Sequence, residues 1–247
     1  MANLSGKVAV VTGGSKGIGA AIAEKLAESG AAVPVNYSSS AGQAKAVVDR
    51  IQSRGGKAKA VHADVSKPSE AARLIEAAVS EFGHVDILVN NAGIYEFYPL
   101  TEIDEAHYDR IFNLNVKGLL FATRAAVGAF NGGGSVINIG SLASKIAVPG
   151  ASVYSATKAA VDSITRTLSA ELGPRKIRVN SILPGPVETE GTQALAEWAD
   201  FKANLVPRRA LGRVGQPADI TNVALFLASD EAGWITGQLI PATGGLH

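Results

Sequence analysis

Cysteine is absent from all 247 residues, which excludes a disulfide framework, a thiolate metal site and a cysteine nucleophile. Neither sign of charge is in excess. The 23 Lys and Arg against 22 Asp and Glu leave a formal +1, too little basicity for an extended nucleic-acid interface. No apolar run approaches the ~20 residues of a bilayer span; Val8 to Val11 is a representative length. Met1 to Lys7 carries no apolar stretch ahead of a cleavage site, so the expectation is a soluble cytoplasmic protein with no membrane partner. His62, His84, His107 and His247 are scattered without H-E-x-x-H spacing, and no metal is expected. What remains is apolar: 47% hydrophobic against 18% charged is enough for a sizeable core, and the expectation is one domain over residues 1–247.

Short Val/Ile-rich runs alternate with longer Ala/Leu-rich stretches of helical period, the pattern of an α/β chain with parallel strands joined by crossover helices. The strands are read at Lys7–Thr12, Ala32–Asn36, Lys57–His62, Asp86–Val89, Ser135–Ile139, Arg178–Leu183 and Gln238–Ile240. The helices are read at Ile18–Ser29, Ala41–Arg54, Pro68–Phe82, Tyr108–Phe130, Ser152–Leu172 and Ala218–Ala228, with Pro68 and Pro217 where a first turn tolerates a missing N–H. Strands apolar at every position call for helices on both faces. Gly132-Gly133-Gly134 reads as a turn before a strand, and Pro34 conflicts with a central strand because it removes a ladder donor.

Thr12-Gly13-Gly14-Ser15-Lys16-Gly17-Ile18-Gly19 follows the first strand and opens the first helix. Without Cβ atoms at Gly13, Gly17 and Gly19, a backbone and a helix N-terminus can approach a pyrophosphate. An ordinary strand-to-helix turn has the same glycines, and the spacing matches neither G-x-G-x-x-G nor the P-loop. The second strand runs into Asn36-Tyr37-Ser38-Ser39-Ser40, where an acid would bind both ribose hydroxyls of NAD(H) and repel a 2′-phosphate. No acid is present. Tyr37, Ser38 and Ser39 offer hydroxyls, Lys16 offers positive charge, and the expected cofactor is NADP(H).

Tyr154-Ser155-Ala156-Thr157-Lys158 puts a phenol and an ammonium at i and i+4, on one helical face, where the cation favours phenolate. Ser141 follows a strand thirteen positions earlier, where a hydroxyl can hold a carbonyl oxygen. Taken singly, each of these is also an ordinary surface pair or turn residue.

Together these segments resemble the classical short-chain dehydrogenase/reductases. The glycine loop is similar to that family's cofactor loop and Asn90-Asn91-Ala92-Gly93 to its second signature. Asn115, Ser141, Tyr154 and Lys158 match its catalytic tetrad in order, and the likeness runs on through Pro184-Gly185 and Thr189 to Thr236-Gly237. The terminal Pro241-Ala242-Thr243-Gly244-Gly245 departs from the acidic Val-Asp-Gly-Gly of many relatives. The resemblance implies a Rossmann-type doubly wound, mostly parallel seven-stranded sheet. It implies that Gly13, Ser15, Lys16, Gly17, Ile18, Gly19, Asn91, Ala92, Gly93, Pro184, Gly185 and Val187 border the cofactor, that Asp64 and Val65 hold its adenine, and that Thr189 meets its carboxamide. Ser141 then orients a carbonyl oxygen, Tyr154 donates a proton, and Lys158 binds ribose and lowers the tyrosine pKa. Asn115 distorts its helix to hold a relay water.

The long stretch from Val187 to Arg213 is expected to be a substrate-binding lid. Trp198 and Phe201 within it, with Tyr95, Phe97, Leu142 and Val148, form the expected apolar pocket for a bulky ketone or aldehyde, although the first two can equally be packing residues of the lid. Glu188 and Glu190 are read as solvated rather than catalytic. The expected activity is NADPH-dependent carbonyl reduction and its reverse, alcohol oxidation. One alternative is a 3-oxoacyl-acyl-carrier-protein reductase, for which Arg175, Lys176, Arg208 and Arg209 offer basic charge to an acidic carrier. Another is a non-catalytic nucleotide-binding regulator. The resemblance also implies a homotetramer or dimer built partly from the Tyr108–Phe130 and Ser152–Leu172 helices and the last strand.

Overall fold

A strand sends successive side chains to opposite faces, so one that is apolar at every position needs cover on both. The computed structural model describes residues 3–194 and 198–245, apart from the side chains of residues 200 and 201. Strands β1 (Ala9–Val11), β2 (Ala32–Tyr37), β3 (Lys57–His62), β4 (Val85–Asn90), β5 (Phe130–Ile139), β6 (Ile177–Pro184) and β7 (Leu239–Ala242) form one parallel sheet in the order β3-β2-β1-β4-β5-β6-β7. Helices α1 (Gly17–Glu28), α2 (Ala41–Ser53), α3 (Pro68–Phe82), α4 (Glu105–Phe112), α5 (Leu119–Ala129), α6 (Ser152–Leu172), α7 (Glu190–Gln193), α8 (Trp198–Leu205) and α9 (Pro217–Ala228) connect them.

Ala9, Val11, Ile87, Val89, Ile137 and Ile139 enter one core with Ile22 and Leu26 of α1, Val47 and Ile51 of α2, and Ile220 and Leu227 of α9. The alternate residues Val10, Leu88 and Val136 enter a second core with Leu74 and Ile75 of α3 and Ala122 and Ala126 of α5. Truncating Leu26 or Leu74, both fully buried, to Ala costs about 2–5 kcal/mol. Chain order reverses between β1 and β4, which opens a crevice beyond their carboxyl ends at the switch point.

Two readings need correction. The Tyr108–Phe130 helix is two helices: α4 starts at Glu105, capped by Asp104 whose Oδ1 accepts from His107 N at 2.7 Å, and a π-helical turn at Asn113–Gly118 separates it from α5. Polar Asp104 to His107 hid that start from an apolar-period reading. The three glycines lie inside β5, as a bulge: Val85 pairs with Phe130 and Ile87 with Ser135, and Gly132 and Gly133 take φ of +79° and +140°. Within the Val187–Arg213 stretch lie two short helices, α7 and α8.

Pro34 does occupy an interior strand. Pairing of β2 with β3 is continuous from Ala32–Lys57 to Tyr37–His62, whereas β1 meets β2 only at Val8–Ala32 and Val11–Val35. The missing N–H falls in that gap on the β1 side.

Candidate active site

The glycine loop crosses the switch-point crevice, and side chains from three strands hold it. Thr12 Oγ1, at the end of β1, accepts from the backbone N–H groups of Asn91 and Ala92, both at 3.0 Å. Asn91 returns its Nδ2 to the carbonyls of Thr12 and Gly13, also at 3.0 Å. Buried Asn36, from β2, accepts from Gly13 N at 3.0 Å and donates to Ala63 O at 2.9 Å beyond β3. Gly13 and Gly17 take φ of +59° and +56°. A Cβ on Gly19 would collide with Asn91 Nδ2 and Gly13 O, so α1 packs onto the loop only with glycine there.

Lys16, the N-cap residue of α1, gives it no side-chain cap and is extended and exposed, and Ser15 is buried beside it while Ile18 packs on the first core. The Tyr37 ring lies 5.4 Å from that of His62, whose Nε2 is 2.9 Å from Ser38 O, and Ser38 and Ser39 face solvent. Asp64 is partly exposed. Burial opposes its charge, but bonds from Ser66 N and Oγ and the Lys67 charge hold the carboxyl below its usual value. Val65 is buried under Gly118. Gly185 N donates to Ala242 O, Val187 bridges to Gly215, and Thr189 caps α7 with its methyl group beside Gly17. The positive-φ glycines, the helix N-terminus at Gly17 and the acid-free Tyr37–Ser40 turn fit a dinucleotide with a 2′-phosphate.

At the carboxyl ends of β4, β5 and α6's first turns, Asn115, Ser141, Tyr154 and Lys158 are brought together. Ser141 caps a short 3₁₀ turn, Leu142–Ser144, and its hydroxyl reaches the Tyr154 phenol. Lys158 Nζ stands 5.7 Å from the Tyr154 ring centroid and donates to Ile139 O at 2.9 Å. Asn115 lies in the π turn, where its Oδ1 accepts from Ile94 N and its Nδ2 donates to Ile94 O, both at 2.9 Å, and to Thr157 Oγ1 at 3.2 Å. A Cβ on Gly93 would stand 3.1 Å from Asn115 Oδ1 and 3.7 Å from Lys158 Nζ.

Burial pushes the Tyr154 phenol up, the Ser141 hydrogen bond opposes that, and Tyr95 adds to it. Burial takes Lys158 down to about 8, with Asp162 opposing.

Tyr95 and Phe97 meet the Tyr154 ring edge-on at 6.4 and 6.1 Å, and the Tyr95 hydroxyl lies beside Gly191 of α7. Leu142 is buried and Val148 half-buried in the loop that leads to α6. Trp198 is buried in α8, and the Phe201 side chain lies outside the described residues. Glu188 is not simply solvated: Gln216 and Lys202 donate to it at 3.0 Å each and hold it down to about 2. Glu190 Oε2 accepts from Gly17 N.

Several polar residues of the site were not singled out from sequence: Asn36, Thr157, and the buried chain Asn90–Asn138–Thr165, in which Asn90 Nδ2 donates to Asn138 Oδ1 and Asn138 Nδ2 to Thr165 Oγ1, both at 2.9 Å. Their signal was available, since a lone Asn closing an apolar strand run needs a buried partner.

Residues 13–247 match the family described as "Enoyl-(Acyl carrier protein) reductase". An uncharacterized oxidoreductase of Methylorubrum extorquens is 54% identical over the whole of both chains. A probable tetrahydroxynaphthalene reductase of Zymoseptoria tritici is 40% identical over 98% of this chain and 94% of its own. Among solved structures, a short-chain dehydrogenase/reductase from Serratia marcescens superposes with a TM-score of 0.93 at 40% identity, covering 98% of each chain. The angucycline C-6 ketoreductase LanV with bound NADP superposes at 0.92 and 36% identity, covering 99% of this chain and 96% of that one. A glycine cradle built for a dinucleotide, a turn without an acid and this degree of likeness converge: the chain belongs to the classical short-chain dehydrogenase/reductase family and is an NADP(H)-dependent oxidoreductase.

Proposed function

We propose that the protein reversibly reduces a ketone or aldehyde to the alcohol, with bulky apolar substrates, aryl ketones foremost. One observation carries this reading: the Tyr154 phenol is reached by the Ser141 hydroxyl, flanked by the Lys158 ammonium, and walled by the Tyr95 and Phe97 rings. NADP(H), when bound, supplies or takes up the hydride. The loop Gly13–Gly19, the Tyr37-Ser38-Ser39 turn, Asn91 to Gly93 and Thr189 would hold it.

In the reducing direction Ser141 hydrogen-bonds the carbonyl oxygen and orients it. Tyr154 gives that oxygen its proton, and Lys158 stabilises the phenolate left behind. Such proton transfer contributes about 10²- to 10⁴-fold, and an oriented donor about 10²- to 10³-fold. Asn115 holds the Ile94 backbone beside Lys158, and the Val187–Arg213 segment acts as a lid over Tyr95. The flat edge-on aromatic wall supports aryl substrates, and the names of the tetrahydroxynaphthalene reductase and the ketoreductase point the same way.

The matched family's description favours a second reading, reduction of an acyl group on acyl carrier protein. The basic residues give it little support. Arg175 and Lys176 are exposed but immediately precede β6, at the far end of the sheet from Ser141, and Arg209 is buried, which leaves Arg208 as the one exposed cation of those four away from that end.

Initial rates of NADPH oxidation with aryl ketones, aliphatic ketones and 3-oxoacyl and enoyl thioesters decide between them. Fastest turnover of aryl ketones is expected. A thioester preference would put the second reading first, and no carbonyl turnover despite NADPH binding would sink both.

A further inference from the structure

Tyr154, Lys158 and Asp162 stand at i, i+4 and i+8 of α6, and so share one stripe of the helix. Asp162 is 2% exposed, almost as buried as any carboxylate can be. Its Oδ1 has no hydrogen-bond partner among the described residues, and its Oδ2 faces Lys145 Nζ at 2.9 Å in an ionic contact rather than a directed hydrogen bond. Lys145 closes the turn Leu142–Ser144 that Ser141 opens, and its own N–H donates to Leu142 O at 2.8 Å. The pair therefore joins the turn bearing Ser141 to the helix bearing Tyr154 and Lys158.

A buried carboxylate so poorly satisfied is an expensive way to fasten a turn, since an apolar pair of the same volume is often as stable or more so. Its position explains it better. Lys158 is buried and donates to a backbone acceptor, and among the described residues Asp162 is the one charge that acts on it. Other groups packed against α6 are directed elsewhere. Tyr95 acts on Tyr154, Nε2 of His107 in α4 stands 3.9 Å from Glu96, Arg175 donates to Val127 O, and Lys117 of the π turn has no ionic contact among the described residues.

We infer that Asp162 is a positioning residue for Lys158, keeping its ammonium charged in a dry site, and that Lys145 moderates this by partly neutralising Asp162 while it clamps the Ser141 turn. Part of this, the consequence for turnover, rests on the proposed carbonyl chemistry; the charge relationship itself does not. Asp162 attracts the Lys158 proton and Lys145 repels it, so the two substitutions have opposite signs. A pair that merely held the fold would act with the same sign.

The test is a ¹³C NMR titration of lysine Cε in the full chain without cofactor, the Lys158 resonance being assigned by its loss in Lys158→Met. Asp162→Asn is expected to lower the Lys158 midpoint, and Lys145→Met to raise it, each by about one unit; Asp162→Glu is expected to restore it. The pH dependence of kcat for ketone reduction should move in the same directions. Midpoints that stay put, or that move together, overturn the inference. Lys145 is half-exposed, so Lys145→Met remains decisive even if Asp162→Asn does not fold. Opposed midpoints in a protein that turns over no carbonyl would uphold the charge relationship and sink the carbonyl chemistry alone.

Discussion

The backbone N–H of Gly17, the first residue of α1, donates to Oε2 of Glu190 in α7 at 3.3 Å. A carboxylate from the Val187–Arg213 segment thus sits at a helix N-terminus that has no side-chain cap of its own, where the partial positive charge of the helix favours an anion. A cofactor pyrophosphate placed there competes with it. Glu190→Gln should therefore tighten NADPH binding by about two- to fivefold, corresponding to the ~0.3–1 kcal/mol of such a charge. Fluorescence titration of NADPH at low salt measures it, and weaker binding in the variant would show that Glu190 helps rather than competes.

Replacing Tyr154 by Phe keeps the ring that packs against Tyr95 and Phe97 and removes the proton donor. Turnover should fall by at least about 10²-fold, with the Kd for NADPH nearly unchanged. Retained turnover would leave the proton to another group.

Lys158 is held at about 8 in the fold against an ordinary lysine value of 10.5. A base whose folded value is lowered binds its proton more weakly in the native state than when unfolded. The cost is fully present below pH 8, shrinks between 8 and 10.5, and vanishes above. Lys158→Met removes it at the price of leaving Ile139 O unpaired, about 1–3 kcal/mol. The gap in proton affinity is of the order of 3 kcal/mol, so the variant should be inactive yet at least as stable at pH 7. Its advantage over the parent should dwindle as pH rises from 8 toward 10.5. Calorimetry at pH 7 and 10 tests this, and an advantage that grows with pH would contradict it.

Tyr37→Asp should shift the ratio of kcat/KM from NADPH toward NADH, because a carboxylate there binds ribose hydroxyls and repels a 2′-phosphate. The parent offers two exposed serines and no acid at that turn. An unchanged ratio would mean that the preference is set elsewhere, with Lys16 the first place to look.

Much of the fold was readable because its strands are short, apolar and buried on both sides, and because Pro68 and Pro217 mark helix starts where the structure has them. Helix boundaries were lost where polar residues do the work of a terminus, as Asp104 does for α4, or where glycines admit a bulge, as at Gly132 and Gly133. Asn115 was legible as a poor helix former, and a π turn stands at its position. The role of Asp162 was not legible. An acid one turn past a lysine on a helix reads as a solvated i,i+4 pair, whereas the fold buries it beside Lys145 of the turn after β5.

The glycine loop is tied by the side chains of Thr12, Asn36 and Asn91. A cradle held in this way is preorganised, so a cofactor meeting it has little chain entropy to freeze. Amides of Gly13 and Gly14 should already resist hydrogen exchange in the free protein, and substitutions at Lys16, Ser38 and Ser39 on the periphery should alter cofactor choice without rebuilding the loop that does the holding.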